Sequence, residues 1–158
     1  AQYSLTLPWE EPVLHHLAGS LQVRDDFLRV SAMKPNMAAS AYLGPSGLSL
    51  PEAFVRELAT RRLENEFVPA LVRIFPAFES FPLPAKAALI DMVYGLGEGR
   101  DATDEAKATG LRAFSNLRAR VGRLDWNAAA LSCRIKTRRD ERNAWVTSKF
   151  LEAAIWAE

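Results

Sequence analysis

The sequence predicts a mainly α fold, and three observations support that prediction. Apolar residues recur at helical spacing in most segments after residue 48. Residues typical of helix ends, such as Ser49, Gly122 and Asp125, stand at the edges of those segments. Residues 30–48 contain almost no β-branched residues and no strict alternation of apolar and polar side chains. The length of 158 residues suits one domain, of one or two lobes.

The first 48 residues are predicted to be mostly irregular, with at best a short hairpin. The run "PVLHHLAGSLQV" is compatible with a helix from Pro12, although Gly19 weakens it. Pro35 and the run "GPSG" at residues 44–47 interrupt the rest of this region. We therefore expect a reduced, weakly β first lobe.

The segment 49–83 is predicted to supply connecting helices. In "SLPE", Ser49 is the expected N-cap, Pro51 lies in the first turn and Glu52 takes the capping-box position. Pro69 should kink or divide the helix that begins there. The run "FPAFESFPLPAK" holds three prolines and predicts a turn before the next helix.

The next predicted helix, at about 84–96, is apolar nearly all round except at Asp91. Such a helix is expected to be central and buried, and "GLGEG" should end it, because glycine adopts the left-handed C-terminal conformation at little cost. The polar run "RDATDEAKATG" predicts a loop or a short helix capped by Thr103.

Three more helices are predicted, at about 111–121, after Asp125 and at about 140–156. The last helix offers four candidate core residues, which are Trp145, Val146, Phe150 and Ile155. The tryptophans at 126, 145 and 156 are expected to be core aromatics, with sugar stacking as the alternative. Cys133, the only cysteine, has apolar neighbours and is expected to be a small buried residue.

Charge and motifs exclude several kinds of function. With a net charge of +1, the chain as a whole has no strong positive potential that would attract nucleic acid. Basic residues cluster at 134–142, which predicts a solvated helix face or, alternatively, a contact with an anionic polymer or cell wall. His15 and His16 lack further ligands at metal-binding spacing, so no metal is expected. No cofactor-binding fingerprint occurs, and no apolar run is long enough to span a bilayer.

The helical half resembles the phage-type lysozymes, the glycoside hydrolase family 24 group. "AKAALIDMVYGLGEG" is similar to their central helix, which joins two lobes. "FSNLRARVGRLDWNAAALS" and "ERNAWVTSKF" resemble the next two blocks of the family, in the same order and spacing. The resemblance covers roughly residues 84–156, and the segment before it fits with few identities. It implies one lysozyme-like, two-lobed domain over 1–158, with a divergent first lobe at 1–48.

The family's chemistry lies in its first lobe. A glutamate that closes the first helix protonates the glycosidic oxygen, and an aspartate and a threonine come after it, separated by eight and then five residues. In this chain "RDDFLRV" is the best match, and it places Asp26 at the glutamate. The same spacing puts Pro35 at the aspartate and Ala41 at the threonine. Arg142 matches the family's cleft arginine and, with Glu98 and Tyr94, is expected to bind substrate.

These departures favour a protein that keeps the fold and has lost most catalysis. Neither Pro35 nor Ala41 can hold a proton or a water, and Asp26 is one methylene shorter than glutamate. A misplacement of about 1 Å can cost about a hundredfold in rate. The expected function is binding of peptidoglycan glycan strands or of a protein partner, in the periplasm or after delivery to the cell wall.

The alternative is an active muramidase with a rebuilt site. Glu11 is then the second candidate acid, since Glu11, Ser20 and Asp26 keep the family spacing, although Pro12 indicates that a helix starts there. Glu98, on the side of the central helix that faces between the lobes, is a third candidate. The simplest interpretation of Glu11 and Glu98 is that they cap helices or carry solvated charge. The chain starts without Met, as a mature form or an excised domain would.

Overall fold

The mainly α class predicted from the sequence is confirmed by a computed structural model of the chain. The described residues are 7–9, 17–35, 37–42, 48–103 and 106–157. Within these ranges there is no strand, and an isolated antiparallel bridge joins Thr103 and Ala106. The weakly β character expected of the first lobe is not confirmed, because its described residues form no strand.

The chain divides into two compact units, residues 1–60 and 61–158. The division falls inside the segment 49–83 that the sequence predicted as connecting helices. In the first unit, α1 spans Ser20–Ser31 and α2 spans Ala39–Tyr42. Helix α1 begins directly after Gly19, whose N–H donates to the side-chain oxygen of Gln22 at 2.8 Å.

A continuous helical run crosses the boundary between the units. Helix α3 spans Glu52–Arg62, a π-helical turn spans Leu63–Phe67, and α4 spans Val68–Ile74. The sequence predicted that Pro69 kinks or divides the segment. The helical run continues through Pro69, the second residue of α4, and the change in helix geometry is the π turn directly before α4. The N-terminal boundary was predicted too early, since α3 begins at Glu52 and Pro51, not Ser49, directly precedes it.

Helix α5 spans Leu83–Leu96, one residue longer than predicted, and it is the central element of the second unit. Its side chains at Ala88, Leu89 and Met92 are fully buried. The helix ends at Gly97, which has φ +71° as the glycine-rich sequence predicted. Its buried faces pack against α8 and α4.

The remaining elements of the second unit come after α5. The predicted helix at 111–121 is divided into a 3₁₀ turn, Gly110–Ala113, and α6, Ser115–Gly122. Helix α7 spans Trp126–Ala130 and α8 spans Asp140–Trp156. The capping prediction for Asp125 is confirmed, because its carboxylate accepts the N–H of Ala128 at 2.9 Å.

The core of the second unit is built around stacked aromatic rings. Trp126 lies edge-on to Phe81, with ring centroids 5.1 Å apart, and stacks on Phe150 at 6.4 Å. Val146 and Cys133 are buried beside them, as predicted. The other candidate core residues of α8 were wrongly predicted: Trp145, Ile155 and Trp156 are all exposed, because α8 turns the face of Val146 and Phe150 inward.

No helix in the described ranges is both long and apolar enough to cross a membrane.

Candidate functional site

A cleft of about 440 Å³ lies in the second unit, between the π turn with α4 and the C-terminal half of α5. Its wall carries two aromatic side chains, Phe67 and Tyr94, and the charged side chains Arg73 and Glu98. Tyr94 is 60% exposed, whereas its chain neighbours Met92 and Val93 are buried. The cleft is therefore an aromatic surface with charged groups at its edges.

The two rings form the centre of a row of four side chains, which we call the aromatic row. Phe67 meets Tyr94 edge-on, with centroids 5.6 Å apart and planes at 86°. The guanidinium of Arg62 lies over Phe67 at 5.3 Å, and that of Arg142 lies over Tyr94 at 5.8 Å. Both contacts fall within the range of cation–π attraction. Guanidinium groups thus close the row at both ends.

The π turn explains how Phe67 reaches this position. Pro69 removes one backbone donor from the helical run, and the turn before it widens. Phe67 is half-buried at the end of that turn and packs against both the core and Tyr94. Single π turns of this kind are frequent at functional sites.

The helical period of α5 places Asp91 and Tyr94, three residues apart, on one side of the helix. Glu98 lies just beyond the helix end and accepts hydrogen bonds from Arg73 at 2.5 Å and from Arg112 at 2.9 Å. These partners, Arg73 first, outweigh burial and lower the pKa of Glu98 to about 2. Glu98 is therefore ionised near neutral pH and cannot donate a proton as a general acid.

A close crossing of two backbone segments keeps Glu98 beside Arg112. The backbone N–H of Leu111 donates to the carbonyl of Gly97 at 3.0 Å, and the backbone N–H of Arg112 donates to the backbone carbonyl of Glu98 at 3.1 Å. Gly110 has φ +60°, and a Cβ on it would lie 2.6 Å from the backbone of Gly99. Only glycine fits this crossing.

Asp91 lies at the other end of the aromatic row and binds two arginines. Its carboxylate accepts from Arg138 at 2.5 Å and from Nε of Arg142 at 2.8 Å. Arg138 approaches α5 so closely that a Cβ on Gly95 would overlap its Nη2. The hydrogen bond to Asp91 raises the pKa of Arg142 and orients its side chain.

Asn143 holds the segment that carries Arg138. Its side chain is buried, accepts the N–H of Ile135 at 3.0 Å, and donates to the carbonyls of Ile135 at 3.0 Å and Arg138 at 3.3 Å. These bonds fasten residues 135–138 to α8. The backbone of Arg138 is therefore held in position by Asn143, and its side chain is held by the ion pair with Asp91.

The structure places Asp26 inside α1, not at a helix end. It is 6% exposed and accepts from Arg29 at 2.8 Å, and Arg29 also donates to the carbonyl of Tyr42 at 2.8 Å. Asp26 thus orients an arginine that ties α2 to α1. Pro35 lies in the turn after α1, and Ala41 lies within α2.

Glu11, the second candidate acid, lies outside the described residues, as do His15 and His16. Three predicted substrate-binding residues, Tyr94, Glu98 and Arg142, lie on or beside one cleft. Within the described ranges no group of three or more metal-ligating side chains is placed to hold a metal ion.

Sequence reasoning missed the roles of Asp91, Arg73 and Phe67. One signal was available for Asp91, since it is the lone acid in an apolar helix and such a residue needs a partner. No local pattern pairs Arg73 with Glu98, which lies 25 residues later.

Comparison with protein-family models, with curated proteins and with solved structures gives no match for this chain.

Proposed function

We propose that this protein binds glycan strands of peptidoglycan on the aromatic row and does not hydrolyse them efficiently. The observation that carries the proposal is the exposed Tyr94 ring, which packs edge-on against Phe67 and has the guanidinium of Arg142 over it. An exposed, rigid ring offers a flat apolar face for the C–H groups of a sugar. The nearby amide and charged side chains can bond its hydroxyl and acetamido groups.

The resemblance of residues 84–156 to phage-type lysozymes supports peptidoglycan as the ligand. On that interpretation the second unit corresponds to the helical lobe of a lysozyme-like, two-lobed protein. The chain acts at the cell wall, in the periplasm or after delivery there. A protein partner is the competing ligand.

The state of the acids supports loss of catalysis. Glycoside hydrolysis needs a carboxyl group that stays protonated near neutral pH beside the scissile bond. Glu98 is held ionised by two arginines, and Asp26 is buried against Arg29. Glu66, the other carboxylate of the cleft, accepts from Arg62 at 2.9 Å. Each of these carboxylates already accepts a hydrogen bond from an arginine.

The first experiment sediments the purified protein with bare peptidoglycan sacculi and measures new reducing ends in the supernatant. We expect sedimentation without release. Tyr94→Ala should weaken binding by about tenfold, because it removes the exposed ring on which the sugar is proposed to stack. Where nucleic-acid bases stack on aromatic side chains, one such ring contributes about 1–3 kcal/mol. Trp156→Ala is the matched control, since Trp156 has the same 60% exposure but lies outside the cleft.

The outcomes separate the competing functions. Release of reducing ends would establish a muramidase, and Asp26→Asn and Glu11→Gln would then identify the acid. Protein that stays in the supernatant would refute glycan binding and favour a protein partner. Equal losses in Tyr94→Ala and Trp156→Ala would show that the cleft is not the binding surface.

A further inference from the structure

The charge around the aromatic row is unevenly balanced. At one end Arg62 has Glu66 as its own partner. At the other end the single carboxylate of Asp91 serves both Arg138 and Arg142. That end therefore carries one more positive charge than negative charge, directly beside Tyr94.

Neighbouring charges reinforce this imbalance. The segment 134–142 holds five basic side chains and two acids, Asp140 and Glu141. Asp140 is already paired with Arg134 at 2.9 Å. Segment 134–142 and Asp91 together carry five positive and three negative charges, an excess of two positive charges. Such a field attracts anionic groups most strongly at low ionic strength.

The guanidinium of Arg142 has donors to spare for a ligand. Its hydrogen bonds in the described structure use Nε and Nη2, both toward Oδ1 of Asp91. A guanidinium has five N–H donors, so the Nη1 edge still carries two. The side chain is 44% exposed, against 12% for Arg138. Arg142 is thus the member of the pair that a ligand can reach.

The geometry also limits where Arg142 can point. Arg138 is fixed by Asn143 and by its packing against Gly95, and its guanidinium donates a hydrogen bond to the carboxylate of Asp91. Asp91 in turn orients Arg142 over Tyr94. An arginine oriented in advance loses less side-chain entropy on binding and presents its planar edge in a fixed direction.

From this arrangement we infer that the ligand group facing Arg142 is a carboxylate, so that the cleft selects acidic amino-sugar strands over neutral ones. The inference rests on the proposed glycan binding and adds the substrate class. In peptidoglycan the carboxylate has two sources: the free lactyl group of a peptide-free muramic acid, and the acidic residues of the attached peptide. Either can accept two parallel N–H bonds from arginine.

The test compares three oligosaccharides of equal length by calorimetry at low salt. One is a neutral N-acetylglucosamine oligomer, one is a peptide-free glycan strand with free lactyl carboxylates, and one is the same strand carrying peptides. We expect at least one acidic strand to bind about tenfold tighter than the neutral oligomer, as a charge-assisted hydrogen bond allows. The difference should shrink as salt is added. The tighter of the two acidic strands identifies the source.

Variants assign the preference to Arg142. Arg142→Gln should lower affinity for the acidic strand far more than for the neutral oligomer, so that their ratio approaches one. Arg142→Lys keeps the charge without the fork and should retain part of the ratio. Arg123→Gln, at an exposed arginine outside the segment 134–142, is the control and should keep the full ratio.

Four results would overturn the inference, and they differ in meaning. Equal binding of neutral and acidic oligomers by the unmodified protein refutes the carboxylate preference and leaves glycan binding intact. Binding of none of the three refutes both. A preference that survives unchanged in Arg142→Gln would refute the assignment to Arg142, as would an equal loss of preference in Arg142→Gln and Arg123→Gln.

Discussion

The two units of the chain differ in how many side chains they bury and in where their arginine–carboxylate pairs lie. The second unit encloses a core that includes Leu89, Met92 and Phe150, all fully buried. Among the described residues of the first unit, the buried side chains are Val23 and Asp26. The first unit thus uses its most deeply placed carboxylate for an internal tie to Arg29. The second unit keeps its arginine–carboxylate pairs at the edge of a cleft.

This difference indicates where a ligand can be held firmly. A binding row needs side chains whose positions are fixed by packing behind them. Phe67 and Tyr94 have that support, since both stand on segments that pack into the core of the second unit. Segments with few buried apolar contacts open locally at lower free energy. We therefore expect binding to depend on the second unit.

The largest expected effect tests whether stability is concentrated in that core. Phe150→Ala should lower the free energy of unfolding by about 3–5 kcal/mol, because it leaves a cavity beside Trp126. Leu131→Ala, at a side chain 83% exposed, should change it by less than about 0.5 kcal/mol. Urea unfolding followed by tryptophan fluorescence measures both. Similar values for the two variants would contradict the comparison between a packed core and an open surface.

A smaller effect is expected at Asn143, which connects the core to the arginine cluster. Asn143→Leu should cost about 1–3 kcal/mol, since it leaves the backbone groups of Ile135 without their partner. The amide of Ile135 should then exchange faster with solvent. Asn65→Leu removes a bond from an exposed asparagine and serves as the control. An unchanged exchange rate at Ile135 would show that the hydrogen bonds of the Asn143 side chain do not protect this amide.

Sequence patterns predicted the second unit much better than the first. Helix α8 was predicted at its observed bounds. Its apolar residues recur at helical spacing and its first turn is acidic, so both features indicate the same helix. Trp145, Ile155 and Trp156 were misplaced because a helix with apolar residues on several sides does not reveal which side is buried. Such a helix needs tertiary contacts to decide.

The site was predicted in part, for a physical reason. Tyr94, Glu98 and Arg142 were selected from the sequence, and the structure brings all three to one cleft or its edge. The partners that decide their chemistry come from distant segments: Arg73 for Glu98, and Arg138 across 47 residues for Asp91. Pairings over such separations leave no local pattern.

The pH dependence of stability provides the next test, with an expected effect of about 1 kcal/mol. The pKa of Glu98 falls from 4.5 to about 2 on folding, mainly through Arg73. A lowered carboxyl pKa stabilises the fold fully above pH 4.5, and that stabilisation is lost as the pH falls toward 2. Solvent exposure limits the contribution to about 1 kcal/mol. Glu98→Gln should therefore be less stable than wild type at pH 7 and equal to it near pH 2. A constant difference across that range would show that the ion pairs are not the source.

The smallest effect is expected at Asp26, and it decides whether the first unit contributes chemistry or only structure. As a structural tie, Asp26→Asn should cost about 0.5–1 kcal/mol, because a partly exposed ion pair to Arg29 is weakened while one acceptor remains. Sedimentation with sacculi should stay within about twofold of wild type, since the aromatic row lies in the other unit. As a catalytic acid, Asp26→Asn would instead abolish the release of reducing ends and leave stability nearly unchanged. The two roles predict opposite patterns in stability and release, so one variant measured both ways distinguishes them.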